Sequence, residues 1–536
     1  MVKALEAEGI SHVFGVPGEE NLDLLEALGE SEQIKFVLTR HEQSAGFMAA
    51  TVGRLTGKPG VALTTLGPGA TNIVTAVAYA QLGAMPLLIL TGQKPIHNSK
   101  QGAFQIIDVV DMMTPLTKYT KQILTGTKAT SMVSEALRVA SQERPGAAHL
   151  ELAEDIAAEQ VDYFNLPVAE TRRPVAESKA IGSAVELLLA AKRPLLVIGA
   201  GANRKRTSNM LTEFVNTFNI VFVETQMGKG VIDEQLAQYG GTAALSSGDY
   251  VHDVINASDL IINIGHDVVE KPPFIMDPTQ KVIHLNFEPA SVNEVYFPQV
   301  EVVGDIANAI WQIKEAITEA ETKPDWDTNY HEISIKKLEQ SFQDSLIAAG
   351  DIITPQVLVN EVRTHLDSED IVTLDNGMYK IWFARHYKTR AENTLLLDNA
   401  LATMGAGVPS ALASKLIHPD RRVVAVVGDG GFMMNSQELE TAVRLDLKVT
   451  ILVLNDKCLQ MINWKQQKMG LKSFGLEFGN PDFVAYAKSY GANGLVAKSN
   501  DELAKVLKQA DKLDGPTVVD VRIDYSHNKE DLNMSH

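Results

Sequence analysis

The feature of this sequence that most constrains its fold is an alternation of short, β-branched apolar runs with segments of helical period, repeated along the whole chain. Such alternation is typical of βαβ units, in which helices join and cover parallel strands. With 536 residues the chain is longer than one hydrophobic core usually supports, and about three domains of roughly 150–200 residues are expected. The sequence therefore predicts an α/β fold of three doubly wound domains with parallel sheets.

Changes in composition indicate where these domains begin and end. The first is expected over residues 1–165 and ends near the polar stretch AAEQVDYFNLPVAETRRPVAES. The second, over residues 178–318, contains the apolar runs RPLLVIG, ASDLIINIG and KVIHLNF. The charged, proline-containing segment TEAETKPDWDTNYHE is typical of a linker. The third domain is expected over residues 345–536.

Charge and composition argue against several classes of partner. A net charge of −19 at pH 7 disfavours nucleic acid or an anionic membrane as the main partner. No apolar run reaches the roughly 18 residues that a membrane span needs. The chain starts without a basic segment followed by an apolar one, and its single cysteine, Cys458, has no second thiol for an internal disulfide. We therefore expect a soluble protein of the reducing cytoplasm.

Two acidic residues follow two neighbouring apolar strands of the third domain. Asp429 comes directly after RRVVAVVG and Asp456 directly after VTILVLN, and a capping box at residues 435–438 is predicted to begin the helix between them. Both strands of a right-handed βαβ unit end at the same edge of the sheet, so the two side chains are expected to lie together. Two carboxylates beside the GDGG turn suit a hard cation such as Mg²⁺ or Ca²⁺ that holds a diphosphate. The alternative is that each aspartate only stabilises a turn.

The GDG triplet at residues 428–430, followed by Asn-Asp at residues 455–456, resembles the motif of thiamine diphosphate-dependent enzymes. In that family the aspartate of the triplet and the second residue of the closing pair bind the metal, Mg²⁺, together with a main-chain carbonyl two residues later. The resemblance implies that Asp429, Asp456 and the carbonyl group of Cys458 are the metal ligands. Cys458 as a nucleophile is a weaker interpretation, because no histidine is paired with it.

A segment of the first domain, LTRHEQSAGFMAATVGRLTGKPG, resembles the segment that carries the activating glutamate of the same family, which places this carboxylate at Glu42. A carboxylic group bonded to the pyrimidine ring nitrogen favours the imino tautomer, and the imine then removes the proton from thiazolium C2. The alternative is an acidic residue that stabilises the first turn of a helix. The segment TTLGPGATN, with Pro68, Gly69 and Asn72, similarly resembles the loop that flanks the pyrimidine.

The third domain contains further segments that resemble cofactor-binding motifs. In ALATMGAGVPSA the methionine, Met404, would lie under the cofactor and hold its two rings in a bent conformation, unless it only fills a gap in the core. The predicted cofactor-binding residues of this domain are Gly377, Met378, Ala402, Met404, Gly428, Gly430, Gly431 and Met461. The resemblance implies that the first domain binds the pyrimidine, the second is a central domain, and the third binds the diphosphate.

The segment QGAFQIIDVVDMMTPLTKYTKQI resembles the substrate-binding segment of acetolactate synthases. It implies that Phe104 shapes the substrate pocket and that Gln105 hydrogen-bonds substrate oxygens, with Lys118 a weaker candidate near the channel. The resemblance extends over nearly the whole chain. It implies a carboligase that requires thiamine diphosphate and Mg²⁺. This enzyme would decarboxylate pyruvate and condense the two-carbon product with a second 2-oxoacid to 2-acetolactate, in a branched-chain amino acid or acetoin pathway.

Other functions stay open at this point. A 2-oxoacid decarboxylase, or a carboligase with a different acceptor, would share the donor chemistry, and a catalytically silent cofactor-binding subunit would share the fold. The presence of Glu42, Asp429 and Asp456 together favours an enzyme. Decarboxylases of this kind often use histidines for protonation, and the first domain contains no adjacent His-His pair.

Two departures from the biosynthetic, FAD-carrying synthases concern the cofactor and the acceptor. The central domain carries YGGTAALSSGDYV and GHDVVEKPPF in place of their signatures, so the resemblance is closer to the FAD-independent catabolic form and FAD is not expected. The GAGAN turn at residues 199–203 could still face a nucleotide, although a lone glycine turn is weak support. Trp464 lies three residues beyond Met461 rather than four, and Lys465 takes the equivalent place, so the acceptor stays open.

The resemblance also implies an assembly. If the first domain supplies Glu42 and the third supplies the metal site, the two must meet across one cofactor. In the family they meet between subunits, which implies a homodimer or homotetramer with its active sites between subunits. The other expected partners are small 2-oxoacid substrates.

Overall fold

Three six-stranded parallel sheets follow one another along the chain. The structure is a computed structural model that describes residues 1–97, 102–168, 173–246, 248–270, 272–273, 280–291 and 297–526. The strands of each sheet pair in parallel and helices lie between them in sequence, which confirms the predicted α/β fold. The sheets occupy residues 12–153, 194–303 and 371–521. Each lies inside one of the predicted domain ranges, whose boundaries stay predictions.

The first domain begins with a helix and then builds its sheet. Its strands are β1 (His12–Gly15), β2 (Lys35–Leu38), β3 (Gly60–Thr64), β4 (Leu87–Gln93), β5 (Tyr119–Ile123) and β6 (Ala147–Ala153). Its helices are α1 (Val2–Ala7), α2 (Leu22–Gly29), α3 (Glu42–Thr56), α4 (Pro68–Asn72), α5 (Val74–Leu82), α6 (Val109–Met113), α7 (Ala129–Ser141) and α8 (Glu154–Ala157). The strand order is β2-β1-β3-β4-β6-β5. The residues of β3, β4 and β6 are buried throughout, as expected for central parallel strands covered on both faces.

The central domain has a different strand order. Its strands are β7 (Pro194–Ile198), β8 (Val221–Glu224), β9 (Tyr239–Thr242), β10 (Leu260–Ile264), β11 (Lys281–Asn286) and β12 (Val300–Val303). Its helices are α9 (Ser178–Ala190), α10 (Lys205–Phe218), α11 (Tyr250–Ala257) and α12 (Ile306–Glu319). The order is β12-β11-β10-β7-β8-β9, so the chain starts at the middle of the sheet and builds outward in both directions. A long helix, α13 (Glu332–Ala349), leads into the third domain.

The third domain repeats the strand order of the first. Its strands are β13 (Ile371–Leu374), β14 (Leu395–Leu396), β15 (Val423–Gly428), β16 (Thr450–Leu454), β17 (Asn493–Ala497) and β18 (Thr517–Val521). Its helices are α14 (Pro355–His365), α15 (Lys380–His386), α16 (Gly407–Ile417), α17 (Asp429–Asn435), α18 (Leu439–Arg444), α19 (Gln460–Lys468), α20 (Phe483–Ser489) and α21 (Asn500–Ala510). The order β14-β13-β15-β16-β18-β17 matches that of the first sheet position by position. None of the described helices is long and apolar enough to cross a membrane.

The capping box predicted at residues 435–438 is wrong. A helix, α17, already begins at Asp429, a 3₁₀ turn covers residues 436–438, and α18 follows without a side-chain cap. The side chain of Asn435 has other partners, because its amide nitrogen donates to Gln43 Oε1 at 3.0 Å and to the carbonyl of Gly405 at 2.8 Å. Contacts with other segments therefore override the local capping pattern.

The first and third domains pack directly on each other through α3 and α16. Helix α3 starts after His41, whose ring nitrogen accepts from the main chain of Gln43, and it ends at Gly57 in the left-handed conformation. Across the contact, the hydroxyl of Thr51 donates to that of Ser410 at 2.9 Å. This packing fixes the first residue of α3, Glu42, relative to the third domain.

A fully buried polar cluster joins the central domain to the third domain. The Lys229 ammonium contacts both carboxylate oxygens of Glu234 at 2.8 and 2.7 Å, and the two side chains are 1% and 0% exposed. Glu234 also accepts from the main-chain N–H of Thr389, in the third domain, at 3.2 Å and from its hydroxyl at 2.6 Å. Burial, with the nearby Glu234 carboxylate, raises the pKa of Glu224 well above its usual value. The cluster thus holds two acidic groups around a single ammonium group.

Replacing Lys229 by methionine is expected to destabilise the protein strongly. The change leaves the Glu234 carboxylate buried without its counter-charge, which typically costs about 3–5 kcal/mol. The matched control is Lys192→Met, which removes an ion pair with Asp325. The two side chains of that pair are 68% and 91% exposed, so its loss should leave the stability almost unchanged. Thermal unfolding of both variants is the measurement. Equal midpoints for the two would contradict this account of the cluster.

Candidate active site

The predicted meeting of two carboxylates at one sheet edge takes place at the ends of β15 and β16. The two strands pair in parallel with Gly428 opposite Leu454, so the segments that follow them leave the sheet at the same level. Oδ2 of Asp429 accepts from the main-chain N–H groups of Asp456 at 3.2 Å and Lys457 at 2.7 Å. The Asp429 carboxylate is therefore fixed against the loop that carries Asp456.

A third polar side chain at this edge, Asn480, was not predicted. Its amide nitrogen donates to Asp429 Oδ2 at 2.7 Å and to Asn455 Oδ1 at 3.0 Å. In sequence it belongs to an Asn-Pro step, which indicates a turn and gives no sign of a site. Among the described residues, the amide oxygen of Asn480 and Oδ2 of Asp456 are buried without a hydrogen-bond partner. Unpaired buried oxygens at this edge are free to accept from ordered water or to bind a cation.

The electrostatics of the edge favour a cation. Burial, and next the charge of Asp429, raises the pKa of Asp456 to about 7. Within the described ranges no cluster of three or more His, Cys, Asp or Glu side chains could hold a metal ion. A cation bound by the two carboxylates would therefore also need carbonyl, amide or water oxygens, the ligands that Mg²⁺ and Ca²⁺ accept. The residues present fit such an ion.

Cys458 lies two residues after Asp456 in the loop between β16 and α19. Its carbonyl accepts from the main-chain N–H of Gln460 at 3.0 Å, and a carbonyl oxygen has a second lone pair for another partner. Burial, and then the charge of Asp456, raises the pKa of the Cys458 thiol. A raised pKa keeps the thiol protonated, which disfavours Cys458 as a nucleophile.

The glycines of the 428–431 stretch admit close packing around Asp375. A Cβ atom at Gly431 would lie 2.2 Å from Oδ2 of Asp375, whereas one at Gly428 would meet its nearest neighbour at 3.7 Å. Asp375 is buried and both its oxygens accept from the main-chain N–H of Gly405 at 2.9 Å. Burial raises the pKa of Asp375 to about 6. Asp375 thus ties the loop after β13 to the segment that contains Met404.

The other predicted cofactor-binding residues of the third domain lie in segments that follow β13, β14, β15 and β16. The methyl group of Met404 lies 3.3 Å from an ideal Cβ at Gly430. Ala402 has a positive φ of 53°, and its main-chain N–H donates to Asp398 Oδ2 at 3.0 Å. Gly377 and Met378 lie in the turn before α15, and Met461 is half-buried in the first turn of α19.

In the first domain the structure brings Glu42 together with the predicted pyrimidine loop. The amide nitrogen of Asn72 donates to Glu42 Oε2 at 3.0 Å, and a Cβ at Gly69 would lie 3.6 Å from Glu42 Oε1. Pro68 is the first residue of α4, which carries both Gly69 and Asn72. Glu42 itself begins α3 directly after the end of β2, so its carboxylate lies at the carboxyl edge of the first sheet.

The predicted substrate residues lie next to the same loop. Phe104 is 71% exposed, and Gln105 has a positive φ of 59°. A Cβ at Gly67 would lie 2.8 Å from the carbonyl oxygen of Gln105, so the two segments touch through their main chains. The Lys118 ammonium is held near the end of α7 instead, where it donates to the carbonyls of Gln142 and Arg144 at 2.7 Å each.

Within one chain the two halves of the site are connected through Asn435. Its amide oxygen accepts from the hydroxyl of Ser44 at 3.0 Å, and its amide nitrogen donates to Gln43, so both residues that follow Glu42 contact the end of α17. In the part of the chain that the structure describes, no hydrogen bond joins Glu42 itself to Asp429 or Asp456.

Comparison with known proteins identifies the family. Residues 1–112 match the N-terminal TPP binding domain of thiamine pyrophosphate enzymes, residues 181–313 match their central domain, and residues 375–521 match their C-terminal TPP binding domain. The chain belongs to the thiamine pyrophosphate enzyme family. Glu42 lies within the N-terminal match, and both Asp429 and Asp456 lie within the C-terminal match.

Several curated members of this family resemble the chain over nearly its whole length. Acetolactate synthase of Bacillus subtilis (strain 168) is 32% identical, over 98% of this chain and 93% of the relative. The catabolic acetolactate synthase of Raoultella terrigena is 32% identical, over 100% of this chain and 96% of the relative. A probable acetolactate synthase large subunit of Methanococcus aeolicus is also 32% identical, over 98% of this chain and 92% of the relative.

The Gly431→Ala variant is expected to lose affinity for thiamine diphosphate by about tenfold or more, because the new methyl group overlaps Asp375 and displaces the segment that Asp375 holds. Gly479→Ala is the matched control, since a Cβ at Gly479 meets nothing within 4 Å. Isothermal titration with thiamine diphosphate gives both affinities. Wild-type affinity in Gly431→Ala would show that this close approach does not matter for the cofactor.

Proposed function

We propose that the protein is an acetolactate synthase that decarboxylates pyruvate and joins the two-carbon unit to a second 2-oxoacid, giving 2-acetolactate when pyruvate is the acceptor. The observation that carries the proposal is the likeness to acetolactate synthases over nearly the whole chain, the catabolic one included. When bound, thiamine diphosphate supplies the thiazolium carbon that takes up the donor and holds the electron pair left by the loss of CO₂.

A divalent cation, Mg²⁺, completes the site in this proposal. Asp429 and Asp456 would hold it by their carboxylates, and Cys458 by its carbonyl group. The buried Oδ2 of Asp456 has no hydrogen-bond partner, and a cation would bind it, which supports the assignment. The raised pKa of the Asp456 carboxyl group also supports it, because a positive charge nearby would favour the ionised form. Asn480, which binds Asp429 through its amide, would orient that ligand.

Glu42 is the residue proposed to activate the cofactor. Its carboxyl group would share a proton with the pyrimidine ring nitrogen, and the Asn72 amide, 3.0 Å from Oε2, would fix the orientation of that carboxyl group. Pro68 and Gly69 would border the pyrimidine. In the third domain, Gly377, Met378, Ala402 and Met404 would line the cofactor with the glycines of the 428–431 stretch and Met461.

Phe104 and Gln105 are proposed to bind the substrate. The exposed Phe104 ring would form an apolar wall, and the Gln105 amide would donate to substrate oxygens. The main-chain contact between Gln105 and Gly67 supports this proposal, because it holds the substrate segment beside the loop that contacts Glu42. We also propose that no FAD is required and that the enzyme acts in the cytoplasm, in a branched-chain amino acid or acetoin pathway.

The proposed active unit is a homodimer, or a homotetramer made of two such dimers. Glu42 and Asp429 belong to different domains, and the described residues show no hydrogen bond between the two positions within one chain. A two-fold assembly can bring the first domain of one subunit against the third domain of the other. Each dimer would then contain two equivalent sites.

Product identification tests the proposed function. Purified protein incubated with pyruvate, thiamine diphosphate and Mg²⁺ is expected to release CO₂ and form 2-acetolactate, with two pyruvates consumed for each product molecule. Chelation of the metal by EDTA should abolish turnover, and added Mg²⁺ should restore it. Mass spectrometry of the products is the measurement. Acetaldehyde without acetolactate would indicate a decarboxylase, and a flavin spectrum from the purified protein would contradict the proposal that FAD is not needed.

Mixed dimers test the assembly and the two residue roles together. The variants Glu42→Gln and Asp429→Ala should each be nearly inactive. In a mixed dimer one site carries both changes and the other carries neither, so activity should recover to at most about half of the wild-type value per dimer. The measurement is acetolactate formation by mixed dimers verified with native mass spectrometry. Mixed dimers that stay inactive would place each complete site within one chain.

A further inference from the structure

An ion pair whose carboxylate is buried lies at the carboxyl edge of the first sheet. The Lys94 ammonium contacts Oε1 of Glu20 at 2.5 Å, and the Glu20 side chain is only 3% exposed. The hydroxyl of Thr65 donates to the other oxygen, Oε2, also at 2.5 Å. The three residues follow β1, β3 and β4, which are neighbours in the sheet. Glu20 therefore joins three adjacent loops at one point.

The packing around Glu20 leaves it little freedom. A Cβ at Gly92 would lie 3.0 Å from the Cβ of Glu20, and one at Gly18 would lie 2.4 Å from the Cβ of Thr65. Burial alone would raise the pKa of Glu20, but the hydrogen bonds from Lys94 and Thr65 outweigh it and hold that pKa below its usual value. Glu20 is thus a buried, ionised carboxylate with both oxygens engaged.

The contacts of Thr65 connect this cluster to Glu42. A Cβ at Gly69 would lie 2.9 Å from the methyl carbon of Thr65 and 3.6 Å from Oε1 of Glu42. Gly69 is therefore held between the residue that Glu20 binds and the carboxylate proposed to activate the cofactor. A shift of Thr65 would move the surface against which Glu42 is positioned.

The contacts of Lys94 connect the cluster to the segment that carries Gln105. The main-chain N–H of Lys94 donates to the amide oxygen of Gln93 at 2.9 Å. The Gln93 amide nitrogen donates to the buried Glu151 carboxylate at 2.9 Å and to the carbonyl of Ile107 at 3.4 Å. Ile107 lies two residues after Gln105. The same network thus touches the cofactor loop at one end and the substrate segment at the other.

We propose that Glu20 is a positioning residue for the active site, which acts through Thr65 and Gly69 on Glu42 and through Lys94 and Gln93 on the segment that carries Gln105. An ion pair with a buried carboxylate is a poor source of stability, because the cost of desolvating that carboxylate offsets the attraction. Its stronger effect is to fix geometry, and a misplacement of about 1 Å at a reacting group can cost on the order of 10²-fold in rate. The inference rests on the proposed role of Glu42.

The test compares Glu20→Gln with wild type in two measurements on the full-length protein. Glutamine keeps the size of the side chain but puts an amide donor where Thr65 or Lys94 already donates. The rate of deuterium exchange at C2 of bound thiamine diphosphate, followed by NMR after acid quench, is expected to fall by about tenfold or more. The dissociation constant of thiamine diphosphate, from isothermal titration, is expected to change by less than about threefold, since the metal end of the site is untouched.

Four further variants, one of them a control, separate positioning from loss of folding. Lys94→Met should slow exchange as Glu20→Gln does, whereas Lys94→Arg keeps the charge and should retain most of the wild-type rate. Thr65→Val removes one hydrogen bond with little change of shape, and it should slow exchange even if Glu20→Gln does not fold. Glu135→Gln is the matched control, because it breaks an ion pair with Arg138 in the same domain whose side chains are 42% and 41% exposed. Its exchange rate and thermal midpoint should equal those of wild type.

The outcomes distinguish this inference from the proposed function. Slow exchange in Glu42→Gln supports the role of Glu42, and wild-type exchange in that variant would overturn that role and this inference with it. The proposed function itself is decided by the product formed from pyruvate. Slow exchange in Glu42→Gln together with wild-type exchange in Glu20→Gln and Thr65→Val would overturn the positioning role of Glu20 alone. Lower thermal midpoints in Glu20→Gln and Thr65→Val without slower exchange would also overturn the positioning role. They would show that the ion pair stabilises the fold but does not position the active site.

Discussion

The parallel register between β15 and β16 is the constraint on which the candidate site depends. Gly428 lies opposite Leu454, so both strands end at one level of the sheet edge. Only then can the Asp429 carboxylate accept from the main chain around Asp456. A shift of the register by two residues would carry one carboxylate nearly 7 Å along the strand direction, and the two would no longer share a partner.

The fold and the meeting of Asp429 with the loop that carries Asp456 could be predicted from the sequence because both depend on local patterns. Apolar β-branched runs specify the central strands, and the position of Asp429 directly after one such run specifies where its side chain emerges. The capping box predicted at residues 435–438 is wrong because the prediction considered only local contacts. It treats a side chain as free to bond its own helix, whereas Asn435 is held by Gln43 and Gly405.

Asn480 and Glu20 show what a sequence pattern does not contain. Asn480 reaches Asp429 across 51 positions, and Lys94 reaches Glu20 across 74. Neither spacing belongs to a helical or strand period, because each pair is brought together by loops whose path is set by the whole sheet. Glycine offers a partial signal, since Gly18 and Gly92 stand where a Cβ would collide with a neighbouring loop. From the sequence alone, however, a glycine does not indicate which loop lies close to it.

The shared strand order of the first and third sheets has a consequence for how the chain arose. In both domains the helix after the second strand, α3 in one and α16 in the other, is the helix that meets its counterpart across the contact. Two equivalent surfaces thus face each other, as in a symmetric dimer joined into one polypeptide. Duplication of a single ancestral domain would give this arrangement. The first domain carries the acid that begins α3, whereas the third carries the paired aspartates beyond β15 and β16.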